Sequence, residues 1–333
     1  MEVNQNNAYN YFNMNIYSAI YFYETKLQKR IVDYIINRQL FDNTNYLIID
    51  ASGHDLSING NVYKINFNKI NKIFQSLINL NKIKRLNIIG SVLIGTHITG
   101  LNAQFISSNI KANKKIIIDD GIGTPVLLCN PNIFKRKIKY QLRYNISKIA
   151  VFFMGMKLLS VKRLYHELDE YITVYKNLPA TVMNNFKVIH IDLLNVKYIV
   201  RNGKVGFVGM PLVDFKIIKQ NKFIEFLHII KNTYGNFEYY LHPDEKFAST
   251  LLVEGVDFIK PNNALENYFA KTGLPEKLIG FASSVLLNVS TSIHVKTNLY
   301  YVKTNIYGRE YDSLYYKLLE NNNILYSGIK LNT

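Results

Sequence analysis

The chain has 333 residues, of which 48% are hydrophobic, so it can bury a core, is not a disordered protein, and is long enough for two domains. Its 40 Lys and Arg residues against 24 Asp and Glu residues give a formal net charge of +16, which predicts an anionic partner: nucleic acid, a phosphorylated small molecule or an acidic membrane surface. The single cysteine, Cys129, excludes an internal disulfide and a cysteine-cluster metal site, and it favours a reducing compartment.

Export and membrane-spanning segments are not predicted. Residues 1–15 lack the positive start and the apolar stretch of a signal peptide. The longest uncharged apolar run, from Ile149 to Met156, is much shorter than the ~20 residues of a spanning helix. We therefore expect a cytoplasmic protein, and we leave open a peripheral contact with the inner face of the cytoplasmic membrane.

Short apolar runs alternate with amphipathic stretches along the whole chain. In the first half, the pattern predicts strands at 46–49, 86–89, 116–118 and 171–175, helices at 25–38 and 70–83, and a basic, mostly helical region from 134 to 168. In the second half it predicts strands at 205–208, 237–241, 258–259, 278–282 and 299–302, and helices at 215–230, 265–271, from 283 onward, and 310–319.

Strands that alternate with helices are typical of parallel sheets covered on both faces. Two such series, joined near 176–202, predict an α/β protein with two doubly wound, Rossmann-like domains, 1–195 and 196–333. Ligands of such sheets bind at the carboxyl ends of the strands, so we expect the site in a cleft between the two domains.

An acidic pair follows the predicted strand 116–118. Asp119 and Asp120 lead directly into Gly121, and alternation along the strand predicts that only one of the two carboxylates faces the cleft. Such a carboxylate can act as a general base, worth roughly 10²–10⁴-fold in rate. Taken alone, the motif favours an ordinary Asp-Gly turn.

Two further strand ends carry groups that suit a phosphate. Pro243 imposes an extended backbone on His242, whose imidazole can then donate to a phosphate or protonate a leaving oxygen. Ser283 and Ser284 lie between a strand and a helix, where hydroxyls and free backbone N–H groups form an anion cradle. The alternatives are a surface histidine and an ordinary helix N-cap.

The segment 207–212 (FVGMPL) precedes Asp214 at a fourth strand end. Gly209 permits close approach of a ligand to the backbone, although a tight turn explains the glycine equally well. The remaining six histidines show no metal-ligand spacing, so we predict no metal site.

The combination and order of these motifs resemble the bacterial sialyltransferases. The segment 207–212 and the strand 169–175 (DEYITVY) resemble glycosyltransferase family 52 in particular, although Met210 occupies a position where that family is expected to have a polar residue. The resemblance implies the GT-B arrangement, in which two Rossmann-like domains face each other across a cleft. It places the acceptor and the base on 1–195 and the nucleotide-sugar donor on 196–333.

The resemblance implies an inverting transferase that needs no metal or other cofactor. It would move sialic acid from CMP-sialic acid to a terminal sugar, galactose, of a bacterial lipooligosaccharide or capsular glycan. It maps the base onto Asp119 of the acidic pair, with Asp214 as the rival candidate, and it maps the donor-phosphate contact and acid onto His242. The predicted donor-binding residues are Gly121, Gly209, Met210, Pro211, His242, Pro243, Ser283 and Ser284.

Other functions remain in competition. A related hexosyltransferase would use a UDP-sugar, and a catalytically inactive scaffold would keep the same turns. A basic nucleic-acid-binding protein fits the net charge, but no helix-turn-helix, zinc-finger, RNP-like or KH-like signature is present, so nucleic acid is the weaker expectation. The basic stretch 135–162 suits either a solvated helix or an anionic membrane. A homodimer is left open.

Overall fold

The structure is a computed structural model. It describes residues 15–51, 61–64, 81, 83–85, 87–95, 101–133, 145–146, 148–149, 151–153, 155–193, 196–292, 297–306 and 308–331. The chain divides into two compact units, one of Met1–Asp120 with Phe134–Tyr171 and one of Gly121–Ile133 with Ile172–Thr333. The boundary predicted at 195 assigns 121–133 and 172–195 differently, although the change from the first sheet to the second does fall between His190 and Val200.

The first sheet runs in the order β3-β2-β1-β4-β5-β6-β7 among the described strands. These strands are β1 (Asn15–Tyr23), β2 (Tyr46–Asp50), β3 (Asn61–Lys64), β4 (Ile88–Gly95), β5 (Lys111–Ile118), β6 (Glu170–Thr173) and β7 (Lys187–His190). The helices described between them are α1 (Lys26–Asn37), α2 (Leu101–Asn109), α3 (Gly123–Cys129), α4 (Val161–His166) and α5 (Ala180–Asn185), with a 3-10 turn at Pro131–Ile133. β1 lies between β2 and β4 and is parallel to both.

The second sheet runs in the order β10-β9-β8-β11-β12-β13, and its described pairs are all parallel. Its strands are β8 (Val200–Val208), β9 (Phe237–Tyr240), β10 (Val256–Ile259), β11 (Leu274–Gly280), β12 (Asn298–Thr304) and β13 (Leu325–Leu331). Its helices are α6 (Gln220–Tyr234), α7 (Leu265–Thr272), α8 (Ser284–Ser290) and α9 (Arg309–Asn321), with a 3-10 turn at Ala248–Thr250. This is the Rossmann strand order, which reverses at β8, between β9 and β11.

An aromatic cluster fills the core of the second sheet. The ring of Phe207 on β8 stacks on Tyr239 of β9 with centroids 5.5 Å apart, and Phe226 and Phe281 meet it edge-on at 5.6 and 5.3 Å. Such offset and edge-to-face contacts add about 0.5–1.5 kcal/mol each to the burial of apolar area. The ends of β8 and β9 are therefore positioned by close side-chain packing.

Most predicted strands are present, with shifted bounds. β4 begins at Ile88 and runs to Gly95 instead of ending at 89. The predicted helix 215–230 begins only at Gln220, because the preceding residues form tight turns in which Leu212 N–H donates to Met210 O at 2.7 Å and Lys216 adopts a φ of 57°. β1, β3, β7 and β13, together with α2, α3 and α5, were not predicted.

Two predicted segments fall wholly or partly outside the described residues. The helix 70–83 lies almost entirely outside them, and the basic stretch is described only at 145–146, 148–149, 151–153 and from 155 onward. None of the helices in the described part of the chain is long and apolar enough to cross a membrane.

Candidate functional site

Three predicted motifs lie at one edge of the second sheet. β8 ends at Val208, β9 at Tyr240 and β11 at Gly280, and these three strands are neighbours. The segment 209–211, the His242-Pro243 pair and the Ser283-Ser284 pair follow those three ends. This edge includes the point where the strand order reverses, which is where ligands of doubly wound sheets bind.

Residues 242–245 form a turn, the His242 turn, whose hydrogen bonds determine which nitrogen of the neutral imidazole ring carries the proton. His242 O accepts the N–H of Glu245 at 2.9 Å, and His242 Nδ1 accepts the N–H of Asp244 at 3.2 Å. Because Nδ1 is an acceptor, the neutral ring carries its proton on Nε2. Burial lowers the pKa of His242, and the nearby Asp244 carboxylate opposes that shift. The turn therefore presents a neutral imidazole with an N–H donor at Nε2.

A buried carboxyl group stabilises the His242 turn. Glu245 is only 5% exposed, and it accepts the backbone N–H of His242 at 3.0 Å and the hydroxyl of Tyr239 at 2.7 Å. Burial raises the pKa of Glu245 to about 7, against the effect of both hydrogen bonds, and the charge of Asp214 adds to the increase. The backbone of His242 thus depends on a carboxyl group that titrates near neutral pH.

We expect Glu245→Gln to remove a pH-dependent part of the stability. The pKa of the Glu245 carboxyl rises from 4.5 to about 7 on folding, so the folded protein holds a proton that the unfolded chain releases between those values. Relative to the variant, the wild-type free energy of unfolding should fall by up to roughly 3 kcal/mol as the pH rises through this window. Below and above the window the difference should be constant. Denaturant unfolding at a series of pH values measures it.

The matched control for this measurement is Glu225→Gln, because Glu225 is exposed on α6. Its difference from the wild type should not change between those pH values. A Glu245→Gln difference that is equally flat would show that the carboxyl group does not titrate in this range.

Gly209 makes room for the same carboxyl group. A Cβ at Gly209 would lie 2.5 Å from Glu245 Oε2 and 2.7 Å from the ring of Tyr239, so a larger residue forces the support of the His242 turn to move. The close approach allowed by this glycine is therefore to side chains of the chain itself. Met210 is partly buried against the aromatic core, and Pro211 is buried.

Asp214 joins the loop after β8 to the segment that follows the His242 turn. Its carboxylate accepts the backbone N–H of Lys246 at 3.1 Å and that of Phe247 at 3.3 Å. Asp214 Oδ2 is the acceptor in both contacts, which is the geometry of a loop cap. The role of Asp214 as the rival base stays a prediction.

Ser284 of the Ser-Ser pair lies close to Gly121. Ser283 caps α8, its hydroxyl oxygen accepting the N–H of Val285 at 3.2 Å, and both serines are partly exposed. Gly121 has a φ of +90°, and a Cβ built on it would lie 3.7 Å from Ser284 Cβ. Gly121 and Ser284 both belong to the second compact unit, so this proximity lies within one unit.

The two carboxylates before Gly121 have different environments. Asp119 is fully buried, and the hydroxyl of Tyr171 on the β6 strand donates to its Oδ1. Asp120 is partly exposed. Asp119 is therefore withdrawn into the protein and solvent reaches Asp120, and the role of either carboxylate as the base stays a prediction.

Sequence reasoning did not identify Glu245, Tyr239 or Tyr171. The position of Glu245, three residues after His242, was the available signal, because that spacing closes a four-residue turn. Tyr171 gave no such signal, since its contact with Asp119 joins residues 52 apart. Within the described residues, no group of three or more His, Cys, Asp and Glu side chains could hold a metal ion.

Solved structures similar to this chain are bacterial sialyltransferases. The alpha/beta-galactoside alpha-2,3-sialyltransferase of Photobacterium phosphoreum has 16% identity and a TM-score of 0.51, with 94% of this chain and 99% of that chain covered. The 2,6-sialyltransferase of Photobacterium sp. JT-ISH-224, solved with CMP and lactose, has 13% identity and a TM-score of 0.50, with 94% and 78% covered.

At these identities the likeness shows the fold alone, and it confirms the predicted α/β class with two Rossmann-like domains of the GT-B type. No protein-family model matches the chain, and no curated protein matches its sequence.

Proposed function

We propose that the chain is an inverting sialyltransferase that resembles glycosyltransferase family 52 and uses CMP-sialic acid as its donor. The observation that carries the proposal is that the segment 209–211, the His242 turn and the Ser-Ser pair follow the carboxyl ends of neighbouring strands where the strand order of the second sheet reverses. The His242 turn follows β9 and the Ser-Ser pair follows β11, on either side of β8 in the same sheet. The two similar solved structures named above are sialyltransferases, which supports the choice of reaction in this proposal.

The donor phosphate is assigned to groups that carry hydrogen-bond donors. His242 offers its Nε2–H, because Nδ1 already accepts a backbone N–H. The oxygen of the Ser283 hydroxyl accepts a backbone N–H, so its own hydrogen remains for a ligand, and Ser284 adds a second hydroxyl. Hydrogen bonds from these groups to a charged phosphate are of the stronger, charge-assisted kind. The proposal includes no metal and no other cofactor.

The reaction needs a base on the face of the sugar opposite the leaving group. The acceptor hydroxyl forms a bond to the anomeric carbon of sialic acid, the bond from that carbon to the CMP phosphate oxygen breaks, and the hydroxyl proton passes to the base. We assign the base to Asp120, because it is the partly exposed member of the acidic pair. Asp119, held by Tyr171, then positions the turn.

The acceptor is assigned by chemistry only. We propose a terminal galactose of a lipooligosaccharide or capsular glycan, made on the cytoplasmic side of the membrane. Lactose ends in galactose and is present in one of the similar structures, so it is the acceptor used in the test. A second candidate function, a UDP-sugar hexosyltransferase, shares the fold and differs in the nucleotide.

The test compares nucleotides and then products. We expect CMP to raise the Tm by several degrees at saturating concentration, whereas UDP and GMP leave it unchanged. Incubation with CMP-sialic acid and lactose in EDTA should release CMP and form sialyl-lactose. A Tm shift with UDP alone would support the hexosyltransferase. No shift with any nucleotide, together with steeply salt-dependent binding to random DNA, would support the nucleic-acid-binding alternative.

A further inference from the structure

A helical segment of the first unit presents apolar side chains to solvent. Residues 145–146, 148–149 and 151–153 are helical. Ile146, Ile149, Phe152 and Phe153 are 54%, 58%, 76% and 82% exposed. Ile146, Ile149 and Phe153 follow the i, i+3, i+7 spacing of one helix face, and Phe152 extends it. We call these four side chains the apolar face.

The segment is anchored to the core by its other side. Val151 is 2% exposed and belongs to the same buried cluster as Met156. The helix ends in a defined turn, in which Met156 N–H donates to Val151 O at 3.0 Å and Gly155 N–H donates to Phe152 O at 2.9 Å. Gly155 adopts a φ of 62°, which a glycine reaches at no steric cost. The buried Val151 and the hydrogen-bonded turn therefore position the segment so that the apolar face points to solvent.

Cationic side chains surround this face. Lys148 and Lys157 are exposed on the segment and just after it. The ammonium group of Lys84 donates to Gly155 O at 2.6 Å, directly after the phenylalanine pair. Lys84, Lys111 and Lys157 line one surface depression next to that turn. The apolar face thus has a positively charged border.

We propose that the apolar face and its lysine border form a docking surface for an anionic lipid bilayer. Exposed apolar helix faces with basic flanks bind in the interfacial region of membranes, the rings among the upper acyl chains and the ammonium groups at the phosphates. Each such cation adds about 1 kcal/mol of attraction to an anionic surface. This inference goes beyond the proposed function and does not depend on it.

The charge argues against a second copy of the chain as the occupant. Two copies meeting through this face would bring their lysine borders together, and each chain has a net charge of +16. An anionic bilayer supplies both an apolar interior for the phenylalanines and counter-charges for the lysines. Self-association is therefore an outcome that the experiments below distinguish from membrane binding.

The absence of tryptophan from the chain gives a direct probe. Phe153→Trp introduces a single tryptophan at the apolar face. Its emission should shift to the blue, and brominated acyl chains should quench it, with vesicles of equal parts phosphatidylcholine and phosphatidylglycerol. Leu252→Trp is the matched control, since Leu252 is fully exposed in the other unit. No blue shift for Phe153→Trp on vesicles to which the protein binds would overturn the proposal.

Vesicle sedimentation of the full chain separates the apolar and the ionic contributions. The double variant Phe152→Ser/Phe153→Ser should lose roughly tenfold or more in partitioning to the anionic vesicles, whereas Leu252→Ser should not. Lys148→Glu/Lys157→Glu should lose partitioning in low salt, whereas Lys222→Glu on α6 should not. Thermal unfolding should show that all four variants remain folded.

Three results would contradict the assignment. Equal partitioning of the phenylalanine double variant and the wild type would exclude apolar insertion. Equal partitioning of the wild type to pure phosphatidylcholine would exclude the ionic contribution. A wild-type dimer in vesicle-free buffer that the phenylalanine double variant dissociates would make the face an interface between two copies.

Discussion

Replacing Asp120 by Asn should lower the turnover of CMP-sialic acid and lactose by roughly 10²-fold or more. Asn keeps the size and the polarity of the side chain but cannot take the proton of the acceptor hydroxyl. The donor contacts are assigned to other residues, so the rise in Tm with CMP should persist. Initial rates of CMP release in the presence of lactose measure the loss of turnover, and thermal unfolding measures the retained donor binding.

The matched variants are Asp119→Asn and Asp214→Asn. Asp119→Asn should lower stability, because its amide replaces a buried carboxylate that accepts the hydroxyl of Tyr171. Asp214→Asn should do the same, because a neutral amide replaces the carboxylate that accepts the backbone N–H groups of Lys246 and Phe247. If Asp120→Asn keeps full turnover while Asp119→Asn loses it at temperatures where it is folded, the base is Asp119. A corresponding result for Asp214→Asn would assign the base to the rival position.

His242→Ala should also have a large effect, on donor use rather than on folding. The variant loses the Nε2–H that is assigned to the donor phosphate, so kcat/KM for CMP-sialic acid should fall by roughly 10- to 10²-fold. The turn itself should persist, because Glu245 accepts the backbone N–H of residue 242 and not the ring. Steady-state rates at varied donor concentration measure the change.

His242→Gln is the conservative comparison. Its amide can donate a hydrogen bond to the phosphate as the neutral imidazole does, so it should recover donor binding, seen as the Tm rise with CMP, and with it much of the lost kcat/KM. An unchanged rate and donor KM in His242→Ala would remove this histidine from the site.

The sequence predicted the strand ends well, because each motif is local. A proline after a histidine, two serines before a helix and a glycine after two acids can each be recognised within a few residues. The placement of the histidine and of the serines at the carboxyl ends of strands in one sheet followed from the rule that ligands bind there. The proximity of Gly121 to Ser284 could not be predicted in this way, since it depends on how distant segments pack.

The central strand of the first sheet shows a different limit. In β1, the residues from Ala19 to Tyr23 are all buried, as expected for a parallel strand covered on both faces. Two of those five residues are tyrosines, and Asn15 and Ser18 precede them, so the run did not stand out as a short aliphatic strand. The hydroxyl groups of Tyr21 and Tyr23 are buried together with their rings, and no local sequence pattern indicates this burial.

Gly209 has a consequence for how relatives of this chain should be compared. A glycine next to a ligand is usually attributed to the ligand, but here the volume above its Cα is taken by Glu245 and Tyr239. In related proteins, a side chain at this position would have to be accompanied by smaller ones at the other two, so the three positions should covary. An invariant glycine there would record internal packing next to His242 and would carry no information about a ligand.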